Sequence, residues 1–211
     1  FFSLFFSFSP YVDVSLKHGT IQLMLHRIFL AINIPESMKE KMLRVKNTLP
    51  EIPCTWTSKE NLHFTLVFLG NTSDKELEAI HMLAKEAGKR HTKFSIALSR
   101  IQYGPTQSDP RMVWAKGNAP KELISLQKDL EKAFSASTIL HFTPEKRPYS
   151  LHLTLGRLNE FELQKMEQDE LPILDEEISW EIPVNSFEVM ESHLKRGGAE
   201  YSELNSVKLQ G

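Results

Sequence analysis

The tetrapeptide His-x-Thr-Leu occurs twice in this chain, as His63-Phe64-Thr65-Leu66 and as His152-Leu153-Thr154-Leu155. Each copy lies in an apolar run, NLHFTLVFLG or YSLHLTLGRL, that reads as a β-strand. In a strand, residues two apart share a face. His and Thr of each tetrad therefore point one way, while Phe64, Leu66, Leu153 and Leu155 point the other way into a core. Two such strands brought together aim two imidazoles and two hydroxyls into one cleft. That set suits protonating one oxygen and deprotonating another around a phosphate. A single tetrad of this kind is ordinarily structural, but a core has no need of the same polar pair twice.

The surrounding pattern indicates α+β architecture. Ile28, Leu30, Ile32 and Ile34 alternate with Phe29, Ala31 and Asn33, a first strand. Pro35 opens a helix in which Met38, Met42, Val45 and Leu49 recur at helical spacing until Pro50. Ser73-x-x-Glu76 has the form of a capping box, followed by Leu77, Ile80, Ala84 and Ala87 on one helical face. Strands are expected over 94–104 and 111–117. A third helix from about Pro120 carries Leu123, Leu126, Leu130, Ala133 and Phe134. ISWEIPVNSFEVMESHL and AEYSELNSVKL read as further strands. The order strand, helix, strand around each tetrad suggests two diverged copies of one unit facing each other, with helices packed outside sheets whose other faces line the cleft.

Composition narrows the function. A net charge of −2 over 211 residues argues against coating nucleic acid with a wide basic face, yet fits a small footprint around one phosphate. Cys54 is the sole cysteine, so no intrachain disulfide forms and a reducing compartment, the cytoplasm, is expected. No cluster with zinc-site spacing is present, so neither a metal nor another cofactor is expected. His18, His26, His81, His91, His141 and His193 read as solvent-facing or loop residues. The aromatic opening FFSLFFSFSP has no basic leading region and meets Pro10 before it could span a bilayer, so no membrane helix is expected. Residues 1–24 are expected to lie outside the fold, as a leader remnant or an upstream-frame segment, and residues 25–211 to form a single bilobal domain.

The chain resembles the 2H phosphoesterase superfamily, most closely its RNA 2′,3′-cyclic phosphodiesterase branch, historically called 2′-5′ RNA ligase. The landmarks are RIFLAINIPE, ENLHFTLVFLG, Val113-Trp114, EKRPYSLHLTLGR, and ESHL followed by Gly197, Gly198 and Tyr201. Leu151 stands where the family usually has Pro before the second His. The resemblance implies a bilobal fold of two pseudo-symmetric antiparallel sheets lining a central cleft. It implies His63 as proton donor and His152 as proton acceptor, and hydrolysis of a 2′,3′-cyclic phosphate to a 2′-phosphomonoester, with 2′-5′ joining as the reverse reaction. Thr65 and Thr154 are expected to donate to non-bridging phosphate oxygens. Arg157 matches the family's His-x-Thr-x-x-Arg pattern for a phosphate contact, although strict alternation puts it on the wrong face unless Gly156 supplies a kink. Phe29 and Trp56 are candidates for stacking on a base. Expected partners are RNA ends or small nucleotides bearing a 2′,3′-cyclic phosphate, met by a monomer without metal or membrane. Three other readings share the residues: a 2′-5′ oligoadenylate phosphodiesterase, an enzyme for a small cyclic nucleotide such as ADP-ribose cyclic phosphate, and a binding module that recognises nucleotide ends without turnover.

Overall fold

Strict alternation of large apolar residues with polar ones produces sheets that are dry on one side only, and two such sheets organise this molecule. The computed structural model describes residues 11–16, 19–166, 170–195 and 198–211, with side chains from Leu25 onward. In chain order the main elements are β1 (Tyr11–Leu16), β2 (Gly19–Met24), β3 (His26–Asn33), α1 (Glu36–Arg44), β4 (Cys54–Trp56), β5 (His63–Thr72), α2 (Asp74–Gly88), β6 (Phe94–Pro105), β7 (Pro110–Lys116), α3 (Lys121–Ser135), β8 (His152–Leu158), α4 (Glu160–Leu163), β9 (Asp175–Val184), β10 (Ser186–Lys195) and β11 (Gly198–Lys208). One sheet has four strands in the order β11-β10-β3-β5, the other five in the order β4-β8-β7-β6-β9. All pairings within them are antiparallel. The first tetrad thus sits on an edge strand and the second between two neighbours.

The α+β class and the paired sheets agree with the sequence reading, but the sheets are not contiguous stretches of chain. Strand β4 leaves the first half to pair with β8, and the C-terminal strands β10 and β11 return to complete the sheet of the first tetrad. Ile28, Leu30 and Ile32 on β3, Phe64 on β5, Leu153 on β8 and Phe187 on β10 are essentially inaccessible and join one core. Burial of each such side chain contributes about 1.5–3 kcal/mol. Helices α2 and α3 pack against each other, and α2 also meets strands of the first sheet. Ser73 caps α2 as expected: its Oγ accepts from the Glu76 amide at 3.4 Å, and the Glu76 carboxylate accepts from the Ser73 amide at 2.8 Å.

Two local expectations need correction. The first helix does not persist to Pro50; it ends at Arg44 and tightens into a 3-10 turn over Val45–Asn47. Three histidines read as solvent-facing are partly buried: His26 bridges Glu191 at 2.8 Å and Asp74 at 2.9 Å, His91 meets Asp129 at 3.0 Å, and the His81 Nε2 is buried without a partner. Residues 11–16 and 19–24 form a hairpin, β1 against β2 with Val12 opposite Leu23 and Val14 opposite Ile21. The alternating β-favouring residues of YVDVSL and GTIQLM account for it. This hairpin is hydrogen-bonded to neither larger sheet; the segment FFSLFFSFSP lies outside the described residues.

Candidate active site

The register of β5 on β3 sets the first half of the site. Asn33 lies opposite His63, Ala31 opposite Thr65 and Phe29 opposite Phe68. Residues directly opposite in an antiparallel pair share a face, so this set turns away from the main core. Phe29, Ala31 and Met190 make a small apolar cluster there, with Tyr201 packed on it. The His63 ring leans on Phe29, with centroids 5.1 Å apart, and meets Tyr201 edge-on at 5.1 Å. Phe29 itself is only 4% exposed. It serves as the wall behind His63 and offers little surface for stacking on a base. Phe68, by contrast, is half exposed, and the Arg27 guanidinium lies 5.3 Å from its ring centroid.

The second half is built by β8 on β7. Lys116 lies opposite His152, and Trp114 opposite Thr154. The register then slips: Val113 faces Gly156 and Met112 faces Arg157, leaving Leu155 as the extra residue of a bulge. Leu155 and Gly156 are both buried, and Arg157 emerges exposed on the same face as His152 and Thr154. The kink that the His-x-Thr-x-x-Arg spacing requires is therefore present. Glycine fits there because β4 pairs close alongside; a Cβ on Gly156 would lie 3.1 Å from the Cys54 Sγ and 3.3 Å from the Thr55 carbonyl oxygen, so a side chain would need β4 to give by a few tenths of an ångström. Trp56 pairs with Gly156 and packs against the core, so the expected base-stacking role does not fit its placement. The aromatic that lies beside the second tetrad is Trp114, whose ring stacks on His152 with centroids 4.1 Å apart and planes 25° apart.

The two histidines are held in the same way. His63 Nδ1 is 2.8 Å from the Asn61 carbonyl oxygen, and His152 Nδ1 is 2.8 Å from the Ser150 carbonyl oxygen. A carbonyl only accepts, so each Nδ1 carries a proton and donates it. Each Nε2 is left as a lone-pair acceptor in the neutral ring or as a donor in the imidazolium. Burial pushes the His63 ring below its ordinary pKa of 6.5; the Asn61 carbonyl works against this, and the charge of His152 adds to it. Burial likewise lowers His152, opposed by the Ser150 carbonyl and reinforced by Lys116. Strands β5 and β8 approach each other, and Tyr149 ties them by donating to the Thr65 carbonyl oxygen at 3.0 Å. Among the described residues, the hydroxyls of Thr65 and Thr154 and the cations of Lys116 and Arg157 have no hydrogen-bond or carboxylate partner.

Lys116, Trp114, Tyr149 and Tyr201 escaped the sequence reading as site residues. The signal for the first two was the alternation of Met112, Trp114 and Lys116 with Val113 and Ala115, which became informative only once β7 was known to pair with β8. Elsewhere the chemistry is less inviting. Burial pushes the Cys54 thiol up to about 11, which removes it as a nucleophile. Among the described residues no group of three His, Cys, Asp or Glu side chains is placed to hold a metal ion. A surface depression near Arg90 and His91 lies away from the tetrads, and both of those side chains already meet Asp129.

A family model described as the 2′-5′ RNA ligase superfamily matches residues 48–196. The RNA 2′,3′-cyclic phosphodiesterase of Methanothermobacter thermautotrophicus is 28% identical over 190 residues, covering 87% of this chain and 98% of that protein. The protein of the same name from Methanocaldococcus jannaschii is 30% identical over 145 residues, covering 69% of this chain and 79% of its own. Among solved structures, that of Escherichia coli LigT complexed with 3′-AMP superposes with a TM-score of 0.72 at 26% identity, covering 89% of this chain and 99% of that one.

Proposed function

This chain belongs to the 2′-5′ RNA ligase superfamily, and from that premise we propose that it opens 2′,3′-cyclic phosphates at RNA ends by acid–base catalysis between His63 and His152. The observation that carries the proposal is the matched tethering of the two rings. Each Nδ1 is fixed to the carbonyl two residues back, which leaves two like Nε2 atoms to handle protons. In the proposed reaction neutral His152 takes a proton from water as the water oxygen bonds to phosphorus. The bond from phosphorus to the ribose 3′ oxygen breaks, and His63, charged at the outset, delivers its Nε2 proton to that oxygen. The products are a 2′-phosphomonoester and a 3′ hydroxyl. The same two groups serve a 5′ hydroxyl that replaces water, which gives a 2′-5′ linkage.

Thr65 and Thr154 supply neutral donors to the non-bridging oxygens, and Arg157 a cation brought round by the bulge. Two imidazoles, two hydroxyls and the cations of Arg157 and Lys116 on the tetrad faces suit one phosphate and its ribose rather than a long duplex. The same proposal has the protein acting as a monomer and without a metal. The names of the relatives favour RNA ends over 2′-5′ oligoadenylate or a small cyclic nucleotide. A substrate panel decides: turnover of an oligoribonucleotide ending in 2′,3′-cyclic phosphate is expected to exceed that of 2′-5′ oligoadenylate and of ADP-ribose cyclic phosphate. Preference for either of the latter two would replace the reading, and tight binding of all three without turnover would leave a binding module.

A further inference from the structure

The two tetrads are nearly alike, yet the proposed reaction needs one imidazole to give a proton and the other to take one. Something outside the tetrads must make them unequal. The side chains that touch or face the His63 ring carry no cation: Phe29 and Tyr201 touch it, and Asn33 stands opposite it with its amide on the Glu203 carboxylate at 3.2 Å; the positive charge that acts on His63 is that of His152. His152 has different company. Lys116 stands directly opposite it on β7, on the same face. Side chains so placed have Cβ atoms about 4.5–5.5 Å apart. The Lys116 ammonium also lies 5.9 Å from the Trp114 ring centroid, and that indole is the one stacked on His152. Among the described residues no carboxylate pairs with Lys116, so its charge is not cancelled.

We propose that Lys116, steadied over Trp114, is the residue that divides the labour between the tetrads, keeping His152 as the proton acceptor and leaving His63 as the donor. The inference rests on the acid–base reading above. Other groups on the same face or in the preceding segment do not supply the same asymmetry. Arg157 lies further along the strand, beyond Thr154 and the bulge, Tyr149 is a neutral phenol engaged with Thr65, and Arg147 is paired with Glu145 at 3.0 Å. His63 acts on His152 as His152 acts on it, so their mutual repulsion cannot choose between them.

The test is a titration of the imidazole proton signals by NMR in the full chain, with no substrate, for the wild type, Lys116→Met and Lys116→Arg. The His152 signal is identified by its loss in His152→Gln. Removing the lysine charge is expected to raise the His152 midpoint by about half a pH unit or more, the size expected for unit charges several ångströms apart in a partly wet cleft. The His63 midpoint moves less, and Lys116→Arg titrates like the wild type. With a cyclic phosphate as substrate, the acid limb of kcat/KM moves up in pH by the same amount in Lys116→Met alone. A His152 midpoint unmoved in Lys116→Met overturns the inference whether or not the protein turns over. A midpoint that moves in a protein that leaves the cyclic phosphate intact defeats the hydrolase reading and not the coupling between Lys116 and His152.

Discussion

His63 and His152 have the same neighbour through Nδ1 and different neighbours everywhere else, and their chemistry follows from both facts. Because burial lowers both imidazoles below 6.5, the form with one charged and one neutral ring is most populated on the acid side of that value. It is lost as pH rises, when both rings become neutral, and again at low pH, when both are charged. The kcat/KM profile is therefore expected to be bell-shaped with its maximum below about 6.5; a profile still rising past pH 8 would contradict this. Replacing either His with Ala should cost on the order of 10²–10⁴ in turnover, and the double replacement far less than the product of the two, since the pair works as a unit. Measured substrate affinity should change little. The two histidines and two threonines were legible in the sequence because a period of two with a repeated polar pair needs no knowledge of strand pairing. Lys116 and Tyr149 were not, because their meaning comes from which strand or carbonyl they meet.

At the level of elements, the site depends on strands that depart from ideal alternation. The bulge at Leu155 turns Arg157 to the cleft, and the flat surface of β6 at Gly104 seats Trp114. A methyl on Gly104 would fall 2.1 Å from the indole Cε3 and 2.2 Å from Cδ2, so Gly104→Ala must displace the ring that His152 stacks on. Turnover is expected to fall roughly ten- to a hundred-fold, the cost of a small misplacement of a reacting group, with the fold retained by circular dichroism; unchanged turnover would mean that the stack does not position His152. The sequence suggested a kink at Gly156 from the spacing of His152 and Arg157. It could not suggest the seat at Gly104, because that depends on β6 pairing with β7. His26 links three elements through Glu191 on β10 and Asp74 at the start of α2. Burial opposes its charge, but the two carboxylates prevail and raise its pKa. Such a group contributes stability that is fully present below about 6.5, its unfolded value, and is lost as pH rises through the folded value. The stability advantage of the wild type over His26→Gln in urea unfolding should therefore shrink between pH 6 and 9.

On the scale of the whole molecule, two sheets share one core and contact each other through β5 and β8. The Tyr149 hydrogen bond to Thr65 links the segment before β8 to β5, and Tyr149→Phe should cost about 1 kcal/mol in stability, with a larger proportional loss of turnover expected if that link holds the tetrads in register. The paired-sheet architecture was readable from two tetrads with helices between. The interleaving of chain halves was not, since nothing local in Cys54–Trp56 or Ser186–Lys195 says which sheet each will join. The most direct test of the central claim is the identity of the product. Incubated with an oligoribonucleotide ending in 2′,3′-cyclic phosphate, in the presence of EDTA, the protein is expected to yield the 2′-phosphomonoester alone, and His63→Ala and His152→Ala to yield almost none. A 3′-phosphomonoester, turnover abolished by the chelator, or a His152→Ala protein as active as the wild type would contradict the account.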